Sequence, residues 1–230
     1  MPDYQLLIFD WDGTLVDSIA RIVESMRVAA EQTELPWRDD AAIKGIIGLG
    51  LPEAIATLYP ELDDARLIDA FRRRYGEHYN ALECQPSPLF EGVGEALEAF
   101  RSQGYRLAVA TGKSRRGLDH VLAGRGWLEY FDVTRCADET ASKPDPRMLQ
   151  EILAHCGVTA ERAVMVGDSP FDLRMAHRAG MDCVAVGYGA QSLAELLKES
   201  PTLAIERFDE LRHWLDGDLN RQSREVELYV

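Results

Sequence analysis

The stretch Leu6-Leu7-Ile8-Phe9-Asp10-Trp11-Asp12-Gly13-Thr14 decides how the chain folds. Its first four residues form a short apolar run, which is typical of a strand buried on both faces, and acids and a glycine follow at once. Similar runs lie at 107–110, 163–166 and 183–186, and a helical pattern follows each of them. Such strands alternating with helices predict a parallel sheet covered on both faces, an α/β, Rossmann-like doubly wound fold.

The chain departs from this alternation between its first two strands. Asp17 or Ser18 can cap a first helix, Asp39 can open a second, and Pro52 fits the first turn of a third. The apolar spacing over 67–75 indicates a fourth helix, and no strand pattern separates the four.

A return linker follows these helices. Residues 85–88 read Gln-Pro-Ser-Pro, and two prolines interrupt any helix. We therefore predict an all-helical cap at 16–85, inserted into an α/β core made of 1–15 and 86–230.

Composition disfavours several classes of function. The 230 residues include 25 Lys and Arg against 39 Asp and Glu, which gives a formal net charge of −14. An acidic surface disfavours nucleic acid and anionic membranes as partners and favours a bound cation. No apolar run reaches the ~18 residues of a membrane span, and no signal peptide is expected. The cysteines are far apart, which predicts reduced thiols and a cytoplasmic protein.

Residues that can carry chemistry follow the strands, where doubly wound sheets bind their ligands. They are Asp10 and Asp12 after the first strand, Thr111 and Gly112 after the second, Lys143 in a later loop, and Asp168 and Asp172 after the run at 163–166. Four clustered carboxylates stay ionised only beside a compensating cation. Because hard oxygen ligands favour Mg²⁺, the pattern predicts a magnesium site.

Each feature taken alone has a purely structural alternative. Asp10 and Asp12 could form a turn before a helix, and Asp168 and Asp172 could cap the next helix. Thr111 could close a strand, and the lysine could lie on the surface. The order of acid pair, hydroxyl, lysine and second acid pair favours the functional interpretation, because chance is unlikely to produce it.

These motifs resemble those of the haloacid dehalogenase superfamily. The segments that carry the resemblance are 10–18, 111–113, Lys143-Pro144 and Gly167-Asp168-Ser169-x-x-Asp172. The helical insertion falls where one branch of the superfamily carries its cap, and the sequence is most similar to the phosphoglycolate phosphatase-like hydrolases. The resemblance implies a Mg²⁺-dependent phosphatase that acts on a small-molecule phosphate ester, such as phosphoglycolate or a sugar phosphate.

The resemblance also implies a role for each residue. Asp10 would be the nucleophile that forms an aspartyl-phosphate, and Asp12 would be the general acid and base. Thr111 and Gly112 would bind the phosphoryl group, while Lys143 would neutralise charge on the nucleophile and on the phosphate. The implied metal ligands are Asp10, Asp12 through its backbone carbonyl, Asp168, and Asp172 as ligand or support.

Several alternatives remain open within this resemblance. The dehalogenases of the superfamily lack an acid at the position of Asp12, so its presence disfavours dehalogenation. A phosphosugar mutase would use the same acids and return the phosphoryl group to a bound sugar. A receiver-type signalling protein is also phosphorylated on aspartate, although it would be about half this length. The glycine-rich segment 45–51 either faces the active site or is a plain turn, and the sequence leaves the oligomeric state open.

Overall fold

The computed structural model describes residues 3–217. Within them, the strands are β1 (Leu6–Phe9), β2 (Arg106–Thr111), β3 (Val133–Cys136), β4 (Ala163–Gly167), β5 (Asp182–Val186) and β6 (Leu203–Ile205). All neighbouring strands are parallel, and their order in the sheet is β3-β2-β1-β4-β5-β6. The strand order reverses between β1 and β4, so the carboxyl ends of these two strands border the crevice in which doubly wound folds bind ligands.

Helices cover both faces of the sheet. They are α1 (Ile19–Gln32), α2 (Asp40–Lys44), α3 (Leu51–Leu58), α4 (Ala65–Leu82), α5 (Val93–Ser102), α6 (Arg115–Arg125), α7 (Arg147–Cys156), α8 (Pro170–Arg178), α9 (Leu193–Leu196) and α10 (Asp209–Leu215). Leu7 and Phe9 of β1 pack on the face with α5, α6 and α10. Leu6 and Ile8 pack on the face with α7, α8 and α9. Both faces are buried, which explains the uninterrupted apolar run, and the predicted α/β Rossmann-like fold is confirmed.

Helices α1 to α4 follow one another between β1 and β2 and pack around an apolar cluster of their own. Asp39 caps α2 by accepting a 2.7 Å hydrogen bond from the backbone N–H of Ala42, and Pro52 lies in the first turn of α3. The observed start of α1 differs from the predicted one. Ser18 occupies the capping position, but its side chain makes no capping hydrogen bond and donates to Asp12 instead.

Both edges of the sheet carry a strand that the sequence analysis does not predict. The middle residues of β3 are Thr134 and Arg135, which are half-buried, so no apolar run marks this strand. Strand β6 has only three residues. Among the described residues, no helix is both long enough and apolar enough to cross a membrane.

Candidate active site

Three carboxylates meet at the carboxyl edge of the sheet. Asp10 follows β1 directly, while Asp168 follows β4 and Asp172 lies in the first turn of α8. One oxygen from each lies within 4.8 Å of the others, and all three residues are buried. The parallel pairing of β1 with β4 brings the first two together, because the carboxyl ends of both strands lie at the same edge.

Lys143 supplies the positive charge inside this cluster. Its Nζ lies 2.7 Å from Asp10 Oδ1 and 2.7 Å from Asp172 Oδ1, and its side chain is inaccessible to solvent. Burial favours the neutral amine, but the two carboxylates outweigh it and raise the pKa of Lys143 above its ordinary value. The lysine is therefore a buried ammonium rather than a surface residue.

One ammonium does not balance three carboxylates. Burial, together with the charges of Asp172 and Asp168, raises the pKa of Asp10 well above its ordinary value despite the opposing effect of Lys143. Burial and Asp172 raise the pKa of Asp168 to about 7. Asp10 Oδ2 is buried and has no hydrogen-bond partner among the described residues. A hard divalent cation such as Mg²⁺ fits this set of oxygen atoms, because it would supply the missing positive charge and a partner for that oxygen.

The loop after β1 is shaped around Asp168. The hydroxyl of Thr14 donates to Asp168 Oδ1 over 3.1 Å, and the backbone N–H of Ala190 donates to Oδ2 over 2.6 Å. Gly13 has a φ of 80°, and a Cβ atom at this position would lie 2.1 Å from Asp168 Oδ2. Only glycine allows both the left-handed backbone and this close approach.

Asp172 has two functions in the fold. Its Oδ2 accepts hydrogen bonds from the backbone N–H and the hydroxyl of Ser169, which completes a capping box at the start of α8. Its Oδ1 faces Lys143. The capping interpretation that was open for this residue is therefore correct for one oxygen, while the other belongs to the charge cluster.

The candidate phosphate-binding residues lie at the end of β2. Thr111 is buried, and its hydroxyl accepts a 3.2 Å hydrogen bond from the backbone N–H of Lys113. A Cβ atom on Gly112 would lie 2.4 Å from the carbonyl oxygen of Leu49 and 2.7 Å from that of Gly48. The glycine-rich segment 45–51 forms the turn that leads from α2 into α3, and it lies against the core beside Thr111.

Asp12 is close in sequence to the cluster, but its carboxylate is not part of the three-carboxylate group. Its Oδ2 pairs with Lys113 Nζ at 3.0 Å, and its Oδ1 accepts a 2.6 Å hydrogen bond from the hydroxyl of Ser18. The prediction that four carboxylate side chains meet is therefore wrong for Asp12. Three carboxylates form the cluster, and Asp12 lies apart from them because it pairs with its own cation, Lys113.

Three residues around Asp12 have no site role predicted from the sequence, namely Ser18, Tyr79 and Lys113. Lys113 directly follows the Thr-Gly pair, and this position is the one signal in the sequence that could have identified it. Tyr79 lies on α4, and only the folded chain brings it to the site. Arg115 also lies close by in sequence, but it pairs with Asp119 and Glu139 and not with Asp12.

Comparison with known proteins assigns the chain to a family. The family model for haloacid dehalogenase-like hydrolases matches residues 7–186. The chain belongs to this family. The haloacid dehalogenase-like match covers every predicted site residue, and the resemblance inferred from the motifs is confirmed.

Curated relatives of this hydrolase are phosphatases. It is 35% identical over 209 residues to the probable phosphatase IndB of Dickeya dadantii, an alignment that covers 90% of this chain and 91% of the relative. It is 32% identical to a phosphoglycolate phosphatase of Mesorhizobium japonicum, with 90% and 92% covered. A crystal structure described as a predicted phosphoglycolate phosphatase from Haemophilus somnus matches with a TM-score of 0.82 at 27% identity, covering 94% of this chain and 99% of the other. The prediction that the chain is a phosphatase is confirmed.

Proposed function

We propose that this phosphatase is Mg²⁺-dependent, hydrolyses small phosphomonoesters and forms an aspartyl-phosphate on Asp10. The observation that carries the proposal is the environment of Asp10. Its Oδ1 accepts a 2.7 Å hydrogen bond from the backbone N–H of Trp11 and pairs with Lys143, while its Oδ2 is buried without a hydrogen-bond partner among the described residues. A carboxylate held by one oxygen has a fixed orientation, which nucleophilic attack requires.

The reaction has two steps. In the first, an oxygen of Asp10 bonds to phosphorus, the bond from phosphorus to the leaving oxygen breaks, and Asp12 gives that oxygen a proton. In the second, water attacks the phosphorus of the aspartyl-phosphate, Asp12 takes a proton from the water, and inorganic phosphate leaves. Asp12 returns to its starting state, so protons and charge balance over the cycle.

Positioning and charge stabilisation supply the rest of the catalysis. Lys143 would balance negative charge on Asp10 and on the phosphoryl group, and Thr111 would donate its hydroxyl to a phosphoryl oxygen. Gly112 leaves its backbone free to approach the phosphate. The metal would be held by Asp10, the backbone carbonyl of Asp12, Asp168 and Asp172. When bound, Mg²⁺ would supply Lewis-acid stabilisation of the transferring phosphoryl group.

The helical segment 16–85 is proposed to be a cap that closes over this site. Three contacts support the proposal, and each joins the segment to a residue beside the site. The carbonyl oxygens of Gly48 and Leu49 lie against Gly112, and the backbone N–H of Gly50 donates a 2.8 Å hydrogen bond to the Ser142 hydroxyl. Closure would exclude water while the phosphoryl-enzyme forms, and opening would admit it for hydrolysis.

The substrate is proposed to be a small phosphorylated metabolite such as phosphoglycolate or a sugar phosphate. The core would bind the phosphate of any of them, and the cap would distinguish the leaving groups. The names of the relatives favour phosphoglycolate. A cytoplasmic location is part of the same proposal, and the free, widely separated cysteines support it.

The test is a panel of phosphomonoesters assayed with Mg²⁺ and again with a chelator. We expect release of inorganic phosphate that depends on Mg²⁺ and is strongest for one class of ester. An isomerised phosphosugar without free phosphate would indicate a mutase, and a single slow turnover would indicate a receiver-type protein. Full activity in metal-free buffer would contradict the metal assignment.

Replacement of Asp10 tests the nucleophile. Asp10→Asn should abolish turnover and leave the fold intact, because the amide is nearly isosteric with the carboxylate and a very poor nucleophile. Activity within about tenfold of wild type would contradict the assignment, since covalent catalysis contributes far more than that.

A further inference from the structure

The carboxylate of Asp12 is held from both sides where the helical segment meets the core. Lys113 Nζ lies 3.0 Å from Oδ2, the Ser18 hydroxyl donates to Oδ1 over 2.6 Å, and the hydroxyl of Tyr79 lies 3.4 Å from Oδ1. Asp12 is only 9% exposed. A buried carboxylate with partners at both oxygens has one preferred orientation.

Lys113 is a nearly buried cation whose position depends on Asp12 and Tyr79. Its side chain is 9% exposed, and the carboxylate it pairs with among the described residues is that of Asp12. It also donates a 3.1 Å hydrogen bond to the Tyr79 hydroxyl and lies 4.2 Å from the centre of the Tyr79 ring. Burial favours its neutral form, but Asp12 outweighs this and raises the pKa of Lys113. The ammonium is thus charged and held by two partners.

Tyr79 reaches this position from the helical segment. It lies on α4, is buried, and stacks on Tyr75 of the same helix with the ring centres 5.9 Å apart. Lys113 lies in the loop after β2, on the core. The contact of Tyr79 with Lys113 therefore joins the two parts of the chain directly beside Asp12.

We propose that Lys113 and Tyr79 are a positioning pair for Asp12. Lys113 sets the orientation of the carboxylate, and Tyr79 makes that orientation depend on the contact between α4 and the core. The inference rests on the proposed function, because it requires Asp12 to transfer protons. A general acid or base must lie within hydrogen-bond reach of the proton it transfers, and a displacement of 1 Å can lower the rate about 100-fold.

Two substrates with different leaving groups distinguish positioning from a general structural role. The ratio kcat/KM reports the steps up to the first bond cleavage. In that cleavage, p-nitrophenolate leaves without being protonated, whereas the alkoxide of an alkyl phosphate needs a proton from Asp12. Lys113→Met should lower kcat/KM for phosphoglycolate about 100-fold and for p-nitrophenyl phosphate much less. It should also lower kcat for both substrates, since hydrolysis of the aspartyl-phosphate needs Asp12 as a base.

Two further variants complete the test. Tyr79→Phe keeps the aromatic ring and removes the hydroxyl, so we expect the same pattern with a smaller loss, and this variant tests the proposal if Lys113→Met does not fold. Lys198→Met is the matched control, because Lys198 is a lysine 66% exposed that pairs with Glu195 on the surface. It should have wild-type kinetics on both substrates.

The Asp12→Asn background separates the possible results. If Lys113 acts through Asp12, Lys113→Met should add no further loss there, because coupled residues are not additive. An added rise in KM for phosphoglycolate would show that Lys113 binds substrate itself and would overturn the proposal. Equal losses of kcat/KM on both substrates in the Lys113→Met single variant would also overturn it. Full activity of Lys113→Met beside an inactive Asp12→Asn would overturn the positioning pair alone. Full activity of Asp12→Asn would instead overturn the proposed role of Asp12.

Discussion

Replacing Lys143 with methionine tests the charge balance of the candidate site. Methionine is unbranched and about as long as the lysine stem, so the change removes the ammonium with little loss of packing. The ammonium is fully buried and pairs with two carboxylates at 2.7 Å. Removing one partner of a buried ion pair costs about 3–5 kcal/mol, because a buried charge loses its compensation.

The expected loss depends on pH. Uptake of one proton by a carboxylate of the cluster replaces the lost positive charge. In the unfolded chain this carboxyl group has its ordinary pKa of about 3.9, so protonating it in the folded variant costs about 1.4 kcal/mol for each pH unit above that value. At about pH 5 the cost is then about 1.5 kcal/mol, which limits the destabilisation there. At about pH 8 the cost of adding a proton exceeds the cost of the broken ion pair, so the full destabilisation of about 3–5 kcal/mol is expected.

Thermal unfolding of the metal-free protein measures this difference. In a domain of this size, 1 kcal/mol corresponds to about 2–4 °C in Tm, so Lys143→Met should lower Tm by about 6–20 °C near pH 8. The decrease near pH 5 should be a few degrees. The control Lys198→Met removes an exposed pair and should change stability by less than about 1 kcal/mol at either pH. A loss that is equal at both pH values, or no larger than that of the control, would refute the reasoning.

Three further predictions concern the contact of segment 45–51 with the core, the charge cluster and the metal. Gly112→Ala places a Cβ atom 2.4 Å from the Leu49 carbonyl oxygen, so it should displace the 45–51 segment and lower kcat/KM about 100-fold. The control Gly76→Ala has no atom within 4 Å of its Cβ position and should keep wild-type activity. Equal kinetics of the two variants would contradict the contact between Gly112 and the 45–51 segment. The raised pKa values of Asp10 and Asp168 mean that the folded metal-free protein binds more protons than the unfolded chain, so its free energy of unfolding should fall as the pH rises from about 4 through about 7. Because Mg²⁺ must displace those protons, its stabilising effect on Tm should be larger near pH 8 than near pH 5, and an effect independent of pH would contradict the carboxylate site.

The sequence predicts the interior of the sheet better than its edges. Strands β1, β2, β4 and β5 are buried on both faces, so each appears as a continuous apolar run. At one edge, β3 contains Thr134 and Arg135, and at the other, β6 is only three residues long. Edge strands are covered less completely, and their sequences therefore lack the pattern on which the prediction depends.

The candidate site also contains some residues that the sequence predicts and others that it does not. Asp10 and Asp168 follow the ends of β1 and β4, and the topology of a parallel sheet predicts that they meet. Lys143 lies in the loop between β3 and α7, and because β3 has no apolar run, the order of the motifs and not the topology indicates its place in the cluster. The partners of Asp12 were not predicted, because Tyr79 reaches it only when α4 packs beside the core. Ser18 has the sequence signature of a helix cap, but its hydroxyl turns to Asp12, and local propensity cannot reveal that choice.

The most direct test of the proposed mechanism is to trap the phosphoryl-enzyme. Asp12→Asn should slow hydrolysis of the aspartyl-phosphate while p-nitrophenyl phosphate still phosphorylates Asp10, because this leaving group needs no proton. Mixing the variant with Mg²⁺ and substrate carrying a radiolabelled phosphoryl group, followed by acid quench and peptide mapping, should give a rapid burst of p-nitrophenol and label on Asp10. A burst without label on Asp10, label on a different residue, or steady product release without a burst or bound label would contradict Asp10 as the nucleophile.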